Sequence, residues 1–329
     1  MKVIRVCIIL MYAALLSGVP FFSIEHTLIY DTVNADSAAF GGHVAGDNPA
    51  AAVMHNPGYL SFLTNEYAEL SGRFAMLAPS TTRDLTNQRG DVFGYTVSSF
   101  GIGARGGSFL WRTLANGRIN AVTEGDRVYS YAYSLNEYSC AYGVKEGALK
   151  LRGGLVVRLY SGTLYYNEVL TNGTQISSQF ENPIGTSVGY GMVFDQFAPL
   201  HLAVFFDNIP LLSYMWFERI PDITMPFSFR LDAGLVAEPF TAFVSWKRHI
   251  TDTAANRIAG GVSVKLPLRF TLSAGITHSF TDGYDTVSFG LANSIGMHTA
   301  AISAEMNLRD LSFMPDKGAV YMLTYRIML

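Results

Sequence analysis

Histidine residues are the first candidates for chemistry in this chain, which contains seven of them. A metal site needs ligands that one element, or two close elements, can bring together. The nearest pair, His43 and His55, flanks a stretch of small residues. The other five are scattered along the sequence: His26, His201, His249, His278 and His298. Their spacing indicates no metal site.

Two further motifs could carry chemistry. Gly101, Gly103 and Gly106 have the spacing of a dinucleotide fingerprint. A strand with no following helix, however, lacks the helix N-terminus that binds pyrophosphate. The Asn172, Gly173, Thr174 sequence matches a glycosylation sequon, which is common by chance. We therefore predict that the protein is not an enzyme and holds no cofactor.

An apolar and aromatic run between two predicted strands is a better candidate for binding. It contains Leu211, Leu212, Tyr214, Met215, Trp216 and Phe217. Aromatic rings and methionine offer adaptable contact area to an acyl chain, and Arg219 nearby can pair with a carboxylate. We predict that these residues capture a hydrophobic small molecule. The alternative is an aromatic belt, or a strand extension buried against neighbouring loops.

Composition narrows the class of protein that carries these residues. Of the 329 residues, 49% are apolar and only 15% are charged, against about 25% charged in ordinary soluble proteins. The net charge is −3, so the chain has no general attraction for polyanions, and nucleic acid is excluded as a partner. A charge deficit spread over the whole sequence favours a membrane protein.

The N-terminus has the layout of a secretory signal peptide. Lys2 and Arg5 precede an uncharged run over residues 6–22, and small residues lie near its end. We predict that residues 1–23 are removed. A retained signal anchor is the alternative, because no clean small-x-small cleavage site ends the run. Removal takes Cys7 with it and leaves Cys140 as the only cysteine, so no intramolecular disulfide is expected.

Strands carry the apolar residues of the remaining chain. No stretch of about 18 consecutive apolar residues follows the signal peptide, which argues against transmembrane helices. Segments of about ten residues alternate instead between apolar and polar side chains. In the last segment, Tyr321, Leu323 and Tyr325 share one face, and Thr324 and Arg326 share the other. A soluble β-sandwich is the alternative, but its outer face would carry more lysine and glutamate.

The alternation predicts about 14 strands, which we place at residues 67–77, 91–98, 102–111, 126–145, 149–160, 185–195, 199–208, 224–237, 239–248, 257–266, 268–279, 285–293, 296–306 and 318–329. Short connections, such as 99–101 and 293–296, alternate with long ones, such as 112–125 and 161–184. This is typical of outer-membrane barrels. The predicted fold class is all-β, a transmembrane antiparallel β-barrel with extracellular long loops and periplasmic termini. Two short strands within 126–145 would break this parity.

Residues 24–66 lack strand alternation and are predicted to form a hatch in the lumen of a barrel spanning residues 67–329. The candidate hatch residues are Gly41, Gly42, Asp47, Asn56, Pro57 and Leu60. This combination of a small-residue stretch, an acidic residue and an Asn-Pro pair resembles the N-terminal hatch of FadL-type transporters and of the related PorV-like proteins. Two departures from that pattern are Gly58, where alanine is usual, and Leu329, where the last residue is usually aromatic.

The resemblance implies passive transport of hydrophobic small molecules, such as long-chain fatty acids, across the bacterial outer membrane. The expected partners are that ligand, outer-membrane lipid and the barrel-assembly machinery that inserts the chain. A PorV-like role is the main alternative: a scaffold or partner of a surface-secretion complex with no substrate of its own. A general hydrophilic porin is a third possibility.

Overall fold

The computed structural model describes residues 34–40, 49–76, 93–124, 126–146, 151–197, 199–216, 223–225, 227–250, 256–280, 284–307 and 320–329. Two short helices come first, α1 (Ala35–Ala39) and α2 (Pro49–His55), followed by a 3₁₀ helix over Pro57–Phe62. We call residues 34–40 and 49–66 the inner segment. The predicted signal peptide, residues 1–23, lies outside the described residues.

Strands make up most of the remaining described residues. The first nine are β1 (Tyr67–Met76), β2 (Phe93–Ala104), β3 (Gly107–Glu124), β4 (Arg127–Glu146), β5 (Leu151–Leu170), β6 (Gln175–Glu181), β7 (Ile184–Phe194), β8 (Leu200–Asp207) and β9 (Tyr214–Trp216). The others are β10 (Ile223–Thr224), β11 (Ser228–Ala237), β12 (Phe240–His249), β13 (Asn256–Lys265), β14 (Phe270–Ser279), β15 (Tyr284–Ile295), β16 (His298–Asn307) and β17 (Val320–Met328). A second 3₁₀ turn, Pro267–Arg269, joins β13 to β14.

The strands form one closed antiparallel ring. β1 pairs with β2 on one side and with β17 on the other, so the first and last strands close the barrel. Three short strands continue longer ones across a break in the ladder: β6 extends β7, β9 extends β8, and β10 extends β11. Counted this way, the barrel has fourteen strands, and the predicted fold class is confirmed.

The two faces of the barrel differ in chemistry, as the alternation predicted. On β5, the side chains of Arg152, Val156 and Arg158 are buried, whereas Leu155 and Val157 between them are exposed. The last strand repeats this pattern, with Leu323 exposed and Thr324 buried. An outer face of exposed apolar residues is the surface that a barrel presents to lipid. No described helix is long and apolar enough to cross a membrane.

Two predicted turns were wrong, and the reason is the same in both cases. Residues 99–101 lie within β2, and the turn falls at Arg105 and Gly106, where Gly106 has a φ of +72°. Residues 293–295 likewise belong to β15, and the chain turns at Gly296 with a φ of +60°. Left-handed backbone favours glycine, so these two glycines mark the turns. Gly101 is a strand residue beside the inner segment, where a Cβ would lie in ordinary contact with Ala50 of α2 at 3.6 Å.

The predicted long connections 112–125 and 161–184 were also wrong, because both are mostly strand. β3 runs to Glu124 and pairs along its length with β4, from Gly107 opposite Tyr142 to Glu124 opposite Arg127. β5 continues to Leu170, where residues 171–174 turn the chain into β6. β4 is a single strand of 20 residues, so the parity of the barrel is preserved.

The two ends of the barrel are therefore unlike. We call the end where β1 begins and β17 finishes the terminal end. It carries tight turns, such as Glu238 with Pro239 between β11 and β12. We call the opposite end the loop end, and there β3, β4 and β5 extend into tall hairpins. The inner segment lies inside the ring: α1 packs against β14 to β17, and α2 with the 3₁₀ helix packs against β2 to β5 and β7.

Candidate ligand path in the lumen

The inner segment is attached first at the seam that closes the barrel. Glu69 of β1 lies opposite Arg326 of β17 in the strand register. Arg326 Nε donates to Glu69 Oε2 at 2.7 Å, and Arg326 Nη2 donates to Asp36 Oδ2 of α1, also at 2.7 Å. Asn34, the N-cap of α1, donates from Nδ2 to Glu69 Oε1 at 2.7 Å. One partly buried arginine thus holds the two end strands and α1 together.

A row of three glycines provides the second attachment. Gly143, Gly154 and Gly191 lie opposite one another on β4, β5 and β7. A Cβ built on Gly154 would lie 2.3 Å from the carbonyl carbon of Pro57, and one on Gly191 would lie 2.1 Å from Asn56 Oδ1. The wall therefore lacks side chains where the inner segment touches it. We call these three residues the glycine row.

Asn56 fixes the inner segment to the wall at this row. Its Nδ2 donates to two strand carbonyls, Met192 O at 3.1 Å and Val204 O at 3.0 Å. Its Oδ1 accepts from the backbone N–H of Gly58 at 2.9 Å, which makes Asn56 the N-cap of the 3₁₀ helix. All the polar atoms of this carboxamide are therefore used in holding the segment against the wall.

Polar contacts continue on both sides of the row. His55, which is fully buried at the end of α2, bonds through Nδ1 to Arg230 Nη1 of β11, so Nδ1 is the acceptor. Burial, and then the Asp232 carboxylate, raise the pKa of the Tyr59 hydroxyl above its ordinary value, and Tyr59 remains protonated. Nearer the terminal end, the Arg152 guanidinium lies 3.5 Å from the centre of the Phe62 ring.

The lumen changes character along three neighbouring strands. From the terminal end towards the loop end, inward residues run Leu110, Arg112, Leu114 on β3 and Val156, Arg158, Tyr160 on β5. On β4 they run Ala141, Ser139, Glu137, Leu135. Each strand thus places charged residues between two apolar ones. The apolar residues nearer the terminal end pack against α2 in one buried cluster.

Next comes the charged layer, which consists of Arg112, Glu137, Arg158 and Asp207. Arg112 donates to Glu137 Oε2 from Nε at 3.0 Å and from Nη2 at 2.7 Å. Arg158 Nε lies 3.3 Å from Glu137 Oε1, and Arg158 Nη1 bonds to Asp207 Oδ1. Ser139 Oγ donates to Glu137 Oε1 at 2.5 Å. Each arginine in the layer is paired with carboxylate.

Apolar side chains form the layer nearest the loop end. We call this set the luminal cluster. Its members come from four strands and one residue that adjoins β10: Leu114, Leu135, Tyr160, Leu164, Met215 and Met225. All are buried. Since the inward face of a barrel normally carries polar residues, an apolar cluster here indicates a surface for an apolar ligand.

The ladder between β2 and β3 is incomplete beside this cluster. The pairing runs from Ala104 with Gly107 to Ser99 with Arg112 and goes no further. Residues 93–97 pair with β1 on their other side. The β3–β4 register also skips Leu114, which marks a bulge at that residue. Within the described strands, the wall is thus least continuous at the height of the luminal cluster.

The predicted capture residues do not share one surface. Leu211 and Leu212 are exposed in the break between β8 and β9, and Leu211 is 82% exposed. Met215 is 1% exposed and joins the luminal cluster, whereas Trp216 is 44% exposed on the other face of β9. Tyr214 lies beside Trp216, with ring centroids 6.3 Å apart. Phe217 and Arg219 lie outside the described residues.

The predicted hatch residues also fall into different groups in the structure. Asn56 and Pro57 contact the glycine row, and Leu60 is fully buried in the cluster around α2. Gly41, Gly42 and Asp47 lie outside the described residues. Neither the charged layer nor most of the luminal cluster was predicted from the sequence. A period-two signal was available, since Leu135, Glu137 and Ser139 share one face of β4.

The fold and the lumen together define a class of protein: a fourteen-stranded barrel with an apolar outer face and an N-terminal segment held inside. No family model matches the sequence, and no curated protein matches it. Solved structures do match, and several of them are described as toluene transporters or hydrocarbon channels.

The toluene transporter TbuX of Ralstonia pickettii has a TM-score of 0.64 and 12% identity, covering 91% of this chain and 99% of its own. The monoaromatic hydrocarbon channel CymD has a TM-score of 0.61 and 12% identity, with coverage of 90% and 97%. A FadL homologue of Pseudomonas aeruginosa has a TM-score of 0.59 and 12% identity, with coverage of 91% and 98%. This protein therefore has the FadL-type barrel fold, as its hatch motif suggested.

Proposed function

We propose that this protein is an outer-membrane channel for the passive transport of hydrophobic small molecules. The observation that carries the proposal is the luminal cluster, which places buried apolar side chains in the lumen on the loop-end side of the charged layer. The names of the similar structures support it, since TbuX is described as a toluene transporter and CymD as a monoaromatic hydrocarbon channel. Small aromatic hydrocarbons are therefore the first ligands to test, and long-chain fatty acids the second.

The proposed topology places the loop end outside the cell and both termini in the periplasm. Residues 1–23 are a cleaved signal peptide, residues 24–66 a hatch and residues 67–329 the barrel. The barrel-assembly machinery inserts the chain, and outer-membrane lipid surrounds its apolar face. Two attachments hold the inner segment, and α2 packs against the wall below the charged layer. A ligand in the luminal cluster then leaves through the interrupted wall between β2 and β3.

Adjacent residues on β9 allow a matched test of where the ligand binds. Met215 lies in the luminal cluster, whereas Trp216 points to the other face. An amide placed among buried apolar groups costs about 1–3 kcal/mol. We expect Met215→Gln to slow the uptake of radiolabelled toluene about tenfold in a heterologous outer membrane, and Trp216→Gln to have little effect. Heat-modifiability on gels should show that both variants form barrels.

Other outcomes would change the proposal in defined ways. If Trp216→Gln slows uptake and Met215→Gln does not, ligand is captured on the outer run predicted from the sequence. If the wild-type barrel folds but takes up neither toluene nor a long-chain fatty acid, the transport function is wrong. That last result would favour the PorV-like scaffold role.

A further inference from the structure

The charged layer lies directly beside the surface on which the proposed ligand binds. Glu137 faces Tyr160 of the luminal cluster in the β4–β5 register, and Leu135 is the next inward residue on its own strand. The Glu137 side chain is fully buried, and that of Arg158 is 1% exposed. A ligand in the cluster therefore meets these charges across a water-poor boundary, where charges interact more strongly than in bulk water.

Charge in this layer is balanced. Arg112 and Arg158 supply two positive charges, and Glu137 and Asp207 supply two negative ones, so the net charge is zero. Glu137 is the central member because it binds both arginines, one through each carboxylate oxygen. Its removal would leave the layer with one excess positive charge and would free donors on Arg112.

We propose that Glu137 determines specificity by keeping carboxylate ligands out of the luminal cluster, which is thereby restricted to uncharged hydrophobic molecules. The inference rests on the proposed transport function. A carboxylate desolvated in the cluster needs a cationic partner, and the charges of the two arginines beside it are already balanced by Glu137 and Asp207. The Glu137 carboxylate also repels it. An uncharged molecule of the same shape meets neither cost.

The test compares two ligands that differ only in the head group. Dodecanoate and 1-dodecanol have the same chain, and dodecanoate is ionised at mildly alkaline pH. We expect the wild-type protein to bind dodecanol at least about tenfold more tightly than dodecanoate, because one unpaired buried charge costs this much or more. Glu137→Gln should tighten dodecanoate binding about tenfold and leave dodecanol binding nearly unchanged. Equilibrium binding of radiolabelled ligand to purified protein in detergent measures both.

Two control variants separate charge from packing. Arg112→Gln combined with Glu137→Gln keeps the new amide but restores a net charge of zero, so its preference should return to that of the wild type. Glu238→Gln removes the same charge from an exposed pair with Lys265 outside the lumen, and it should change nothing. If Glu137→Gln does not fold, Asp207→Asn gives the same excess positive charge at a side chain that is 14% exposed.

Each outcome is decisive. A folded Glu137→Gln variant that still rejects dodecanoate overturns the role of Glu137, as does a wild-type protein that binds both ligands equally. Stronger dodecanoate binding by the double variant would also overturn it, because charge would not be the cause. Failure of the wild-type protein to bind dodecanol or toluene would instead contradict the proposed function.

Discussion

The glycine row predicts that one methyl group will loosen the inner segment without opening the barrel. Gly154→Ala places a Cβ 2.3 Å from the carbonyl carbon of Pro57 and 2.4 Å from the backbone nitrogen of Gly58. Ordinary contacts begin at about 3.4 Å, so the segment must move by about 1.1 Å, the difference between the two distances. Backbone cannot rotate away as the end of a flexible side chain can.

The size of the effect follows from the bonds that this shift breaks. Asn56 donates to Met192 O and Val204 O at 3.1 and 3.0 Å, and neither bond survives a displacement of that size. Each is worth about 0.5–1.5 kcal/mol, and overpacking adds about 1–3 kcal/mol. The total of about 2–6 kcal/mol raises the released fraction of the segment at least about 30-fold.

Thiol accessibility measures this release. Ala52 of α2 is 1% exposed, so a cysteine at that position reacts only when the segment leaves the wall. In a Cys140→Ala background, we expect Gly154→Ala to speed labelling of Ala52→Cys at least about 30-fold. Gly153→Ala is the matched control, because the atom nearest to its Cβ is the movable Tyr190 hydroxyl at 3.3 Å. Equal labelling rates in the two variants, with both barrels intact, would refute the role of the glycine row.

Two further predictions concern topology and the seam. An epitope inserted between Asn172 and Gly173, in the β5–β6 turn, should be accessible to antibody on intact cells. An epitope inserted at the Glu238 turn should become accessible only after permeabilisation. The reverse pattern would invert the proposed topology. Arg326→Gln removes the charged partner of both Asp36 and Glu69. It should lower the free energy of unfolding by about 3–5 kcal/mol. The measurement is the urea midpoint for loss of the heat-modifiable band, which should fall. An unchanged midpoint would show that the seam does not depend on this arginine.

Period-two alternation predicted the strands well because the apolar and polar faces of a strand can be identified from its own sequence. The pattern over Tyr321, Leu323 and Tyr325 needs no knowledge of the neighbouring strands, and the confirmed fourteen-stranded ring follows from counting such segments. Turns were harder to predict. Gly101 suggested a turn, yet it is a strand residue that faces Ala50 of α2, more than fifty positions away in the sequence.

The ligand path was harder still to predict, for a related reason. Leu114 and Met215 lie far apart in the sequence, and they meet only because the barrel brings β3, β4, β5 and β9 together. A contact between such distant strands has no local signature in the sequence, and neither has the break between β8 and β9. The run from Leu211 to Trp216 looked like one apolar surface because it is contiguous, but the break divides it between the two faces of the wall.

Arg326 has a consequence for the order of events during biogenesis. Its two acceptors lie far from it in the sequence. Glu69 belongs to the first strand, and Asp36 belongs to the segment that precedes that strand. Arg326 itself belongs to the last strand of the ring. The complete set of bonds exists only when the two end strands have met. Closure of the ring therefore completes the attachment of α1 at the seam.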